Sequence, residues 1–140
     1  MELLLVEAYA PLARVLRMGL TEEGFVVTTA NGLDKARDLL NARKFDVVLL
    51  DPPAPMGQGA LQEWRRARIT TPVLLLTPPG RHLANGQEAE GPVAFLAKPF
   101  RFDDLLDRLR HLGRWTPVPS RTDGLLALCA TNLFPVLAGL

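Results

Sequence analysis

Five short apolar runs, Leu3 to Val6, Val26 to Thr29, Val47 to Leu50, Val73 to Leu76 and Val93 to Leu96, punctuate the chain, with helix-periodic stretches between them. Each is four residues long and rich in Leu, Val or Thr, so they read as five strands. Four of the five are almost wholly apolar rather than alternating, the pattern of a parallel strand covered on both faces. Parallel neighbours need right-handed crossover connections. The expected architecture is therefore an α/β (βα)5 doubly wound sheet.

The stretches between the runs fit that scheme. Leu12, Val15, Leu16, Gly19 and Leu20 recur at helical spacing, with Pro11 tolerated in the first turn. Leu33, Ala36, Leu39 and Leu40 make a second stripe after the turn pair Asn31-Gly32, and Leu61, Trp64 and Ile69 suggest a third helix after Gly59. Leu105, Leu106, Leu109 and Leu112 mark a last helix from about Phe102 to Gly113, with Asp103 and Asp104 at its start. From Pro78 to Pro92, Gly80, Asn85-Gly86 and Gly91 interrupt the pattern, so the fourth crossover helix should be shortened.

With 140 residues the chain fits one domain, and 48% hydrophobic with 22% charged content is that of a globular protein with a buried core. A net charge of +1 gives no global attraction to nucleic acid or acidic membranes. The lone Cys129 cannot form an intramolecular disulfide, and His82 and His111 have no second cysteine near them, which argues against structural zinc. The amino terminus lacks a basic start and reaches Glu7 after four apolar residues, so it does not read as a secretory signal. A cytoplasmic location is the default expectation.

In doubly wound sheets ligands sit beyond the carboxyl ends of the strands. The residues following the runs are Glu7 after the first, Asp51 after the third and Thr77 after the fourth, with Lys98 just beyond the fifth. Two acids, a hydroxyl and an amine would converge on one crevice. Those are the groups that phosphoryl transfer to an aspartate needs: a carboxylate nucleophile, an acid for a divalent cation, a hydroxyl donor and an ammonium ion. The plainer reading is that four polar residues simply begin four loops, and their joint order argues against it. No glycine-rich phosphate loop follows the first run, which disfavours a flavodoxin-like enzyme or nucleotide binder.

Over residues 2 to about 113 the sequence resembles the receiver domain of response regulators in two-component signalling. The matching segments are Leu-Leu-Leu-Val-Glu at 3 to 7, Val-Val-Leu-Leu-Asp at 47 to 51, Pro55 and Gly59, Leu-Leu-Leu-Thr at 74 to 77, and Phe-Leu-Ala-Lys-Pro-Phe at 95 to 100. The resemblance implies a flavodoxin-like sheet with strand order 2-1-3-4-5, no enzymatic activity beyond autocatalysed phosphotransfer, and a cis bond between Lys98 and Pro99. It implies Asp51 as the phospho-acceptor position, Lys98 as the cation on the phosphoryl group, Thr77 as the switch hydroxyl, and Phe95 as the aromatic that moves with it. Glu7, Asp51 and the carbonyl of Pro53 would be the magnesium ligands.

The pocket departs from that pattern in two ways. Receivers place two adjacent acids after the first strand, the second being a direct magnesium ligand, and here the pair is Glu7-Ala8. Magnesium demands near-octahedral oxygen coordination, so its site should be weak. The family also holds the phosphoryl oxygens with amides of the residue two after the acceptor and of the residue after the switch threonine. Here those are Pro53 and Pro78, which have no N–H. The loss of two charge-assisted hydrogen bonds, each worth ~1.5 to 3 kcal/mol, falls on a reaction that depends on positioning and electrostatics.

The sequence therefore predicts an atypical pseudo-receiver occupying 1-113, which binds a protein partner through its last helix and strand with impaired or absent phosphorylation of Asp51. The alternative is a working phospho-receiver charged on Asp51 by a histidine kinase. Candidate partners are a histidine kinase, a regulatory protein or a second copy of the chain. Residues 114-140 read as a linker and apolar tail without a helix-turn-helix, so no DNA-binding domain is expected, and the tail is too interrupted for a membrane span. Arg65, Arg66 and Arg68 read as a solvated basic face, Trp64 as core and Cys129 as a small buried hydrophobe.

Overall fold

A computed structural model describes residues 1–51, 57–78 and 92–114. The described elements run β1 (Glu2–Glu7), α1 (Ala10–Glu22), β2 (Val26–Ala30), α2 (Leu33–Ala42), β3 (Val47–Asp51), α3 (Gly57–Arg66), β4 (Val73–Thr77), β5 (Val93–Ala97) and α4 (Phe102–Gly113). The strands are all parallel, in the order β2-β1-β3-β4-β5, as the sequence predicts. The shortened crossover helix expected between β4 and β5 lies outside the described residues, and so do the linker and tail beyond Arg114.

Each strand extends past its apolar run, so Glu7, Asp51 and Thr77 are the last residues of β1, β3 and β4 rather than the first residues of loops. The distinction matters because a strand-final side chain is held by the ladder: Glu7 pairs in register with Asp51, and Thr77 with Ala97. The polar groups are thereby fixed to one edge.

Alternation sorts the strand residues into two cores. Leu3, Leu5, Val47, Leu49, Leu74 and Leu76 face α1 and α4, which contribute Leu16, Leu20, Leu105 and Leu109. On the other face Leu4, Val6, Val48, Leu50, Val73 and Leu75 meet Ala36 of α2 and Leu61 and Trp64 of α3. Because both faces are covered, no position along the central strands can be polar without loss. Each buried leucine contributes ~1.5 to 3 kcal/mol relative to exposure.

Two expectations are corrected. Val15, read as part of the α1 stripe, is 65% exposed. The buried face is centred on Leu16 and Leu20 with Leu12 and Ala13 beside them, and a step of about 100° per residue turns Val15 outward. Gly19 belongs to the stripe for another reason: a Cβ there would sit 2.9 Å from the Phe102 ring, so α1 and α4 approach closely at this point. No helix among the described residues is long and apolar enough to cross a membrane.

The second correction concerns Arg65, which is no part of a solvated face. It is 7% exposed, and burial lowers its pKa from the ordinary guanidinium value. Its Nη1 donates to the carbonyls of Ile69 (2.7 Å) and Thr71 (2.9 Å), and its Nη2 to that of Pro92 (3.3 Å). The guanidinium fork thus ties the end of α3 and the approach to β4 to the residue preceding β5. Arg68, the last of the three, lies two residues past α3 and has a positive φ of 64°. We expect Arg65→Ala to lower stability by about 2 kcal/mol or more, since hydrogen bonds from a charged donor are lost together, and Arg65→Lys to recover little because an ammonium cannot span three divergent acceptors. Urea denaturation measures both, and an unchanged midpoint for Arg65→Ala would contradict the clamp.

Candidate functional site

At the carboxyl edge of the sheet the strands end on Glu7, Asp51 and Thr77, with Lys98 just past β5. Asp51, 8% exposed, ends β3, and Lys98, one residue past β5, reaches across so that its Nζ lies 2.6 Å from Asp51 Oδ2. Lys98 is two strands away from Asp51 in the sheet. Its position is fixed by its backbone N–H, which donates to the Thr77 carbonyl at 2.9 Å, and the Lys98–Pro99 bond that follows is cis.

Glu7 ends β1 beside Asp51. Its Oε1 accepts from the Tyr9 N–H at 2.9 Å, while Oε2 is buried with no hydrogen-bond partner. Burial, reinforced by the neighbouring Asp51, pushes the Glu7 pKa from 4.5 up to about 7, although the Tyr9 N–H and Lys98 act the other way. A carboxyl in that position near neutral pH is about half protonated. Lys98 stands against Asp51 and is not in contact with Glu7, so the lysine charge is committed to the β3 acid.

Thr77 is buried at the end of β4. By alternation it projects from the α2/α3 face, the face on which the half-buried Phe95 packs. The Phe95 carbonyl accepts from Arg108 Nη1 of α4 at 2.6 Å. Arg110, another basic residue of α4, pairs with Glu23 at 3.1 Å. Both arginines are thus engaged within the chain. Ala8 follows β1 and is exposed, Pro78 follows Thr77 and is exposed, and Pro53 lies outside the described residues.

Next to Asp51, on the α2/α3 side, is a cavity of about 530 Å³ bordered by Ala8, Gly32, Gly59 and Ala60. The sequence reading missed it. Asn31-Gly32 was legible only as a turn, and a coincidence of small residues on separate elements has no local signature. The only advance clue was that a small residue follows β1.

A flavodoxin-like sheet whose crevice centres on a strand-final aspartate, with an ammonium group clasped to it, defines an aspartate-centred α/β signalling domain. The model of the response regulator receiver domain matches residues 3–110, and the chain belongs to that family. Among curated relatives, transcriptional regulatory protein TcrA of Mycobacterium tuberculosis is 35% identical over 120 residues, covering 84% of this chain and 47% of its own length. Transcriptional regulatory protein CusR of Escherichia coli is 40% identical over 119 residues, covering 81% and 52%. The chain therefore spans about half the length of these relatives. Of solved structures, the receiver domain of a Francisella response regulator superimposes with a TM-score of 0.69 at 26% identity, over 81% of this chain and 96% of its own. The receiver domain of a Pseudomonas aeruginosa sensor histidine kinase, solved with magnesium coordinated in its active-site cleft, gives 0.65 at 27% identity, over 80% and 96%.

The Glu7 carboxyl sets a pH dependence. The folded chain holds its proton up to about pH 7 and the unfolded chain only to about 4.5, so between those values the native state binds more protons and stability falls as pH rises. The slope is at most about 1.4 kcal/mol per pH unit. Glu7→Gln, permanently neutral, should lose this contribution: relative to wild type it gains stability between pH 5 and about 7.5. Denaturation midpoints of both proteins across that range check it, and parallel curves would contradict the shifted carboxyl.

Proposed function

We propose that this receiver works by binding a protein partner, with phosphorylation of Asp51 impaired or absent. The observation that carries the reading is the state of the acid pair: Asp51 is held by Lys98, and its one neighbouring carboxyl, Glu7, keeps its proton to about pH 7. A divalent cation fits this corner poorly. No group of three or more Asp, Glu, His or Cys side chains is placed to hold a metal ion among the described residues, and Ala8 supplies a methyl group where the family has a second acid. Near-octahedral magnesium coordination needs more oxygen donors than that. Magnesium, if held by Glu7, Asp51 and the Pro53 carbonyl, would be held weakly.

The missing amides support the same reading. Pro53 and Pro78 offer no N–H to a phosphoryl group, so two of the donors that would stabilise it are absent by composition. The partner surface would be α4 and β5, where Phe95, Arg108 and the α4 acids lie together. We take residues 1-113 as the signalling domain and 114-140 as a linker and tail. A cytoplasmic histidine kinase, a regulatory protein or a second copy of the chain remain the classes of partner.

One observation favours the alternative, a receiver phosphorylated on Asp51 with Thr77 and Phe95 as its switch: Lys98 and Asp51 already stand in contact, with Thr77 buried at the end of the adjacent strand β4. The two readings separate cleanly. Incubated with acetyl phosphate, or with beryllium fluoride, and magnesium, the protein should show no stoichiometric modification by intact mass and no change in the environment of Phe95. Full, Asp51-dependent modification with a shift at Phe95 would establish the alternative instead.

A further inference from the structure

We infer that the cavity beside Asp51 is a binding site for a small organic cation, an apolar body carrying a protonated amine. The inference deepens the phosphate-independent reading in one respect, because it supplies a ligand as the input at the corner where a phosphoryl group would otherwise act.

The volume, about 530 Å³, falls in the range of ~300 to 1,000 Å³ typical of small-molecule sites. Its space comes from small residues on separate parts of the chain: Ala8 after β1, Gly32 before α2, and Gly59 and Ala60 on α3. A Cβ added at Gly32 or Gly59 would meet nothing within 4 Å, so neither glycine is there to let two backbones pack closely. The hollow is free for an occupant. Val6 and Leu33 line it as well, which gives an apolar ligand surface to cover.

Charge selects the ligand. Among the described residues, the ionisable ones lining the cavity are all acids, namely Asp34, Asp51 and Glu63. Lys98 and Arg37 hold Asp51 and Glu63 at 2.6 and 2.8 Å, while Asp34 has no ion pair among the described residues. The amino terminus of α2 also faces this space and favours anions, but a helix end carries only roughly half a unit charge, and Asp34 in its first turn offsets it. With Asp51 and Glu63 each paired, the uncompensated charge of Asp34 exceeds that of the helix end, so phosphates, nucleotides and carboxylates are disfavoured and an ammonium group is favoured. An ammonium group would bring three hydrogen-bond donors to these acids.

The test uses the full ¹⁵N-labelled chain without magnesium or phosphodonor. Tryptamine and 2-phenylethylamine are the probes, with tryptophol and indole-3-acetate as neutral and anionic counterparts of the first. We expect at least one amine to shift the amides of Ala8, Asn31, Gly32 and Asp34 saturably and to bind at least tenfold tighter than indole-3-acetate. Gly59→Leu, which adds a side chain into open space on a helix, should melt no lower than wild type and weaken amine binding at least tenfold. The site is refuted if neither amine saturates those amides, if the carboxylate binds as well as the amine, or if Gly59→Leu keeps wild-type affinity. Phosphorylation of Asp51 by acetyl phosphate in a separate sample would overturn the phosphate-independent reading while leaving the binding result to stand or fall on its own.

Discussion

A parallel sheet covered on both faces has no place for a polar side chain except at its ends, and that constraint organises this molecule. Leu3 to Val6, Val47 to Leu50 and Val73 to Leu76 are all buried between α1 and α4 on one side and α2 and α3 on the other. The polar residues that the central strands do carry are therefore pressed to the carboxyl edge, where the ladder puts Glu7 against Asp51 and Thr77 against Ala97. The site is a consequence of sheet packing before it is a device for chemistry.

At that edge the electrostatics turn on an imbalance between two acids and one lysine. Isolated buried charges are costly, and a buried charge is tolerated when it is paired and hydrogen-bonded. Lys98 satisfies Asp51, and the second acid meets the same demand by retaining a proton. The corner is thereby close to neutral without a metal. An additional acid at position 8 would break that balance and call for a cation. Ala8 does not, and it opens space toward α2 and α3 instead.

The sequence carried the strands, their order and the residues at their ends, because buried parallel strands leave continuous apolar runs and because the segment from Phe95 to Phe100 is distinctive. It also pointed to the cis bond after Lys98. What it did not carry depends on three-dimensional neighbours. Val15 has helical spacing but falls just off the buried arc of α1, a difference that periodicity alone does not resolve. Arg65 looks like its exposed neighbours Arg66 and Arg68 in sequence, yet it is drawn inside by carbonyls of residues 69, 71 and 92. The raised pKa of Glu7 follows from burial, which no local pattern records.

Asp51 serves the folded state as the partner of Lys98 rather than as one of several crowded anions awaiting a metal. Removing an acid from a crowded anionic pocket relieves repulsion, whereas removing the partner of a half-buried lysine leaves a charge uncompensated. Thermal and denaturant melts of wild type and Asp51→Ala, each with and without millimolar magnesium, decide between them. Asp51→Ala should be less stable than wild type by ~1 to 4 kcal/mol, and magnesium should move neither protein. A mutant more stable than wild type in metal-free buffer, or magnesium stabilisation of wild type alone, would contradict it.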